Sequence, residues 1–149
     1  MRHPNLGPRK TSVRAVRPSR SIQPVIFLRY TLRTGASVFA LSALALIIAP
    51  GYFVELLGLE ESAALTWSMV LIGVTLVALT GNMAVVSFAA SERGVQIASM
   101  VMMVAAGGLG VTTLLIPAPF TWFSILYALV GFGFSTAYVI GLTRASLAR

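Results

Sequence analysis

The chain has 149 residues, 57% of them hydrophobic and only 10% charged, with 11 Lys and Arg against 4 acids and a net charge of +7. A soluble domain is ordinarily about 25% charged, so too few polar side chains are present to clothe a water-facing surface, and a soluble globular fold is excluded. The absence of cysteine removes disulfide frameworks, thiolate metal sites, cysteine nucleophiles and dithiol relays. The single histidine, His3, cannot build an imidazole metal site alone.

Residues 1–24 differ from the rest: they hold Arg2, Arg9, Lys10, Arg14, Arg17 and Arg20, no acid, and four prolines. Such a segment buries too little apolar surface to offset its ordering entropy, and its prolines interrupt helices, so a disordered basic tail is expected. Its charge suits anionic lipid headgroups. A nucleic-acid arm is not expected, because aromatic side chains and a folded platform are missing. The prolines likewise argue against an amphipathic organelle-targeting helix.

Residues 25–149 read as one transmembrane domain. The first greasy run, Thr34 to Ala49, is short for a bilayer that needs about 20 residues. It lengthens backwards through "VIFLRYTLR" to give a span over about 32–50. Arg29 and Arg33 lie one turn apart there, and both are expected to lay their stems along the hydrocarbon edge and anchor in the headgroups. Pro50-Gly51 ends the span. The link to the next span carries Glu55, Glu60 and Glu61 and reads as a solvated loop with a short interfacial helix, "YFVELLGL".

The second span is expected over about 64–90, with Trp67 near its start as an interfacial anchor and Asn82 inside it. Asn82 lies ten residues before Glu92, about 15 Å along a helix. An amide facing lipid is costly, so Asn82 is expected to turn inward as a buried polar contact. "SERG", 91–94, is read as the turn to a third span over about 95–116, where Met100, Met102 and Met103 cluster. After "PAP", 117–119, the fourth span runs over about 120–143, with Trp122 as its interfacial anchor. Small residues recur at helical spacing, Ser99, Ala106 and Gly110 in the third span and Gly133, Ala137 and Gly141 in the fourth. Such stripes let helix backbones approach closely, within the bundle or against another copy or partner. The "AAGGLG" run at 105–110 follows no strand and has no partner lysine, so it is not a phosphate loop.

Four spans with short links make an all-α transmembrane four-helix bundle. All eleven basic residues then fall on one side: eight in the tail and start of span 1, Arg93, and Arg144 with Arg149. By the positive-inside rule both termini are cytoplasmic, at a cell membrane in preference to an organelle membrane.

The segment "APGYFVELLGL", followed by a span with Trp67 and an early Gly73, resembles the small four-span DoxX-like and DUF4345-like membrane proteins. The resemblance covers spans 1 and 2 and implies the four-span architecture and an accessory membrane role; it carries over no catalytic residue. No nucleophile–base pair or metal cluster is evident within the spans, so no enzyme and no cofactor are expected. The expected function is a non-enzymatic, partner-binding membrane protein. The alternative is a small carrier or pore for a neutral or lipidic molecule, lined by Asn82 and the methionine cluster.

Overall fold

A computed structural model describes residues 22–147. The expected disordered tail lies outside these residues except for positions 22–24, which already belong to a helix. Pro24 falls in the first turn, where a backbone N–H has no intrahelical acceptor, so proline starts this helix without breaking it. Five helices follow: α1 (Ile22–Ile48), α2 (Pro50–Leu56), α3 (Ala63–Ala89), α4 (Glu92–Leu114) and α5 (Trp122–Leu147). Four of them, α1 from Val25 onward, α3, α4 and α5, are long and apolar enough to cross a membrane, at 23 to 27 residues. At 1.5 Å per residue each reaches about 35–40 Å.

The helix ends are set by local chemistry. The first span starts about two turns before the expected 32, because nothing between Val25 and Arg33 breaks a helix. "SERG" is less a turn than a helix start: Ser91 is the N-cap of α4, and its hydroxyl accepts from the Gly94 N–H. At the head of α5 the Thr121 hydroxyl accepts from the Ser124 N–H at 3.0 Å, and the Ser124 hydroxyl accepts from the Thr121 N–H at 3.0 Å. This reciprocal cap fixes the start at Trp122, two residues after the expected 120. α5 then runs to Leu147, past the expected 143, since "LTRASL" contains no breaker.

α2 opens on Pro50 and closes in a Schellman turn. The Leu59 N–H donates to Val54 O at 3.2 Å and the Gly58 N–H to Glu55 O at 2.8 Å, with Gly58 at φ +75°. Thr121 ties this turn to the head of α5, its hydroxyl donating to Leu56 O at 2.7 Å. Beneath the tie, Phe53, Phe123 and Tyr127 form an aromatic cluster with Phe53 edge-on to both partners, at centroid distances of 5.2 and 5.9 Å.

The spans associate as two antiparallel pairs. α1 lies along α3, and α4 lies along α5; α1 meets α5 and α4 less extensively, and α3 barely meets α4. Lipid tails are as apolar as leucine, so helices in a bilayer gain most where backbones approach closely. Glycines mark both close approaches. A Cβ on Gly73 would lie 3.2 Å from Ala43 O of α1, and one on Gly131 would lie 2.8 Å from Ala106 O of α4. The seam between the pairs is filled by larger side chains, including Leu28, Leu32, Met83, Val95, Met102 and Tyr138, all 5% exposed or less.

Candidate functional site

Polar chemistry within the described residues concentrates at the end of the molecule where α1 begins and α3 finishes. The Arg29 guanidinium does not simply point to headgroups. It donates to Ser87 O at 2.7 Å and to Ala90 O at 2.6 Å, two carbonyls of the last turn of α3. These are groups a helix C-terminus leaves without acceptor partners, and the cation also meets the negative end of the α3 dipole. Arg29 is therefore a cap supplied by a neighbouring helix, a role beyond the headgroup anchoring expected of it. The sequence shows the arginine, but its partners are backbone atoms some sixty positions away and carry no sequence signature.

Arg33 lies one turn further along α1, about 6 Å deeper. Its guanidinium carbon sits 4.2 Å from the Phe88 ring centroid and 5.7 Å from that of Tyr30, and its Nε is buried without a hydrogen-bond partner. A groove of about 320 Å³ runs from it between α1 and α3, lined by Ala36, Ser37, Ala40, Thr80, Ala84 and Phe88. Thr80 Oγ1 is a second buried polar atom of this groove with no partner.

Asn82 sits on the opposite side of α3 from that groove. It is exposed, not buried, at the rim of a cavity of about 160 Å³ lined also by Leu32, Met83, Ala98, Val101 and Met102. The expectation that it is buried in the bundle is not met: α3 packs mainly on α1 and only sparsely on α4, so Asn82 stays exposed at the rim of the α3–α4 seam. Its amide makes no hydrogen bond with the described residues. Of the methionine cluster, Met102 is 5% exposed and lines this cavity, while Met100 faces outward at 53% exposed.

The small-residue stripes are consumed inside the chain. Ser99, Ala106 and Gly110 are buried, the last two against Gly131 of α5, and Gly141 is buried under Phe27 and Leu28 of α1. Ala137 is half-buried, and Gly133 is exposed with nothing near its would-be Cβ. The stripes therefore serve mainly as packing surfaces within the chain and offer no continuous free face to another chain. Two hydroxyls in this region, Ser99 Oγ and Tyr138 OH, are buried without partners.

At the other end, Trp67 and Trp122 stand outward, 67% and 68% exposed. An apolar cleft of about 320 Å³ lies between α1, α2 and α5, and its lining includes Leu41, Ser42, Tyr52, Phe53, Phe123 and Tyr127. Glu55, Glu60 and Glu61 are exposed there, and Glu61 accepts from the Thr66 hydroxyl at 3.4 Å. Among the described residues no three ligating side chains come together. No protein family, no curated protein and no solved structure matches this chain.

Proposed function

We propose that this protein is a multi-pass, non-enzymatic accessory protein of the cell membrane that works by lateral association, using the exposed face of α3 around Asn82. One observation carries the reading: a primary amide, about 10 Å in from the C-terminal end of α3, is exposed and has no hydrogen-bond partner in the described chain. In hydrocarbon such a group is costly to leave unmade, and a polar group on a facing transmembrane helix relieves that cost. Gly81 beside it is also exposed, with nothing within 4 Å of its would-be Cβ, so a partner backbone can approach. The basic residues favour cytoplasmic termini, and the DoxX-like resemblance of spans 1 and 2 agrees with an accessory role.

The test is Asn82→Leu in tagged full-length protein purified from its native membrane in mild detergent. The expected result is loss of a stoichiometric co-purifying transmembrane partner, or of a second copy, with the thermal stability of the remaining protein unchanged. An undiminished partner in the variant refutes the reading.

A second reading, a carrier for a neutral or lipidic small molecule, is favoured by the apolar cleft under Tyr52, Phe53 and Tyr127. Its volume falls within the range of small-molecule sites. Filling the cleft with Ser42→Leu would abolish uptake of the cargo and leave partner association intact.

A further inference from the structure

We propose that the groove between α1 and α3 is a binding site for an anionic glycerophospholipid, with the phosphate on Arg33 and an acyl chain lying along Ala36, Ala40 and Ala84. This inference is independent of the association face, which lies on the other side of α3.

The two arginines at this end are in different chemical states. Arg29 spends its donors on Ser87 O and Ala90 O. Arg33 has its Nε buried with no partner and makes contact through the faces of Phe88 and Tyr30. The chain contains four acids in all, and Glu92 alone lies at this end of the spans. A guanidinium held below the membrane surface needs an anion with planar or tetrahedral oxygens, and phosphate is the match its fork geometry favours.

The groove leading from Arg33 fits the remainder of a lipid. On α1 the residues at 33, 36, 37 and 40 share one face, and on α3 those at 80, 84 and 88 do. Opposed, they form a trough about 10–12 Å long with alanine walls and a phenylalanine at its mouth. Thr80 supplies the second polar contact. Thr31, Thr75, Thr112, Thr113, Thr136 and Thr143 all donate to the carbonyl four residues earlier. Thr80 does not, and its hydroxyl is buried in the groove with no partner. It lies about one helical turn deeper than Arg33, roughly 6 Å, on the side where a phospholipid's glycerol ester carbonyls sit relative to its phosphate. Charge, depth and an orphan donor thus agree on one amphiphile.

The experiment uses the full-length protein in vesicles of phosphatidylcholine carrying a trace of spin-labelled phosphatidylglycerol or spin-labelled phosphatidylcholine, reading the motionally restricted fraction of each. The expected preference for phosphatidylglycerol is about fivefold, the equivalent of one charge-assisted lipid contact. It falls to near parity in Arg33→Gln. It also falls in Ser37→Leu, which fills the trough from an exposed position and keeps the charge. Arg14→Gln combined with Arg17→Gln, in the basic tail, leaves it in place. Preference retained in Arg33→Gln or in Ser37→Leu overturns the proposal, as does a preference abolished by the tail substitutions. Displacement of the labelled lipid by excess inorganic phosphate overturns it too, because a site for the whole amphiphile holds its chain as well as its headgroup.

Discussion

Gly131→Ala puts one methyl group into the closest approach that any described glycine makes to the backbone of a neighbouring helix. The new Cβ would lie 2.8 Å from Ala106 O, 2.9 Å from Gly110 N and 3.1 Å from Gly110 Cα, all backbone atoms of α4. Ordinary van der Waals contact begins at 3.4 Å, and helical backbone cannot rotate aside as a side chain can. α4 and α5 must separate by several tenths of an ångström, and the dispersion contacts of their shared face weaken together. Overpacking of this kind costs about 1–3 kcal/mol, and the helix-propensity gain of glycine to alanine returns up to about 1 kcal/mol. The expected net loss is about 1–2 kcal/mol. Gly133→Ala, two residues on and facing outward with nothing within 4 Å, keeps only the gain, about 0–1 kcal/mol. Thermal unfolding in mild detergent, followed by circular dichroism, should give shifts of opposite sign at roughly 2–5 °C per kcal/mol. Equal responses at the two positions, or a greater loss at Gly133, would refute the close approach of α4 and α5 and the helix pairing built on it.

Arg29→Gln removes both charge-assisted bonds to the end of α3 and should cost about 2–3 kcal/mol, with amide hydrogen exchange over residues 86–91 accelerating more than elsewhere. Gly58→Ala forces a side chain into φ +75° and towards Thr121; a loss of about 1–2 kcal/mol is expected, visible as a lowered unfolding midpoint. Thr121→Val deletes the cap of α5 and the tie to Leu56 O together, and should cost about 1–2 kcal/mol. Thr121→Ser, which keeps the hydroxyl, should restore most of it in the same unfolding assay.

The spans were legible because each is a long apolar run, and their ends were legible where chemistry is local. Pro50-Gly51 marks a break in any context, and the Leu-Gly-Leu after α2 is the sequence trace of its Schellman turn. The direction of Asn82 was not legible. α3 is apolar all round, so no polar stripe says which side faces a neighbour, and the inference rested only on the cost of an amide facing lipid. Arg29 and Arg33 look alike in sequence, one turn apart on one helix. What separates them is the backbone of α3 beside one and an alanine-walled trough beside the other, and neither feature is encoded near residue 30. The small-residue stripes were read correctly as contact surfaces, but periodicity alone does not name the surface they contact.

The division into two close-fitting hairpins has a consequence for how the chain is made. Once α3 has left the ribosome, α1 has its main neighbour, and Arg29 can close on Ala90 before any of α4 enters the bilayer. α4 and α5 likewise carry their glycine contact between themselves. Assembly can therefore proceed in two insertion steps, each ending in a unit whose closest backbone approach is already made, with the seam joined last. A gene cut at Ser91 and expressed as two fragments should still yield the assembled protein.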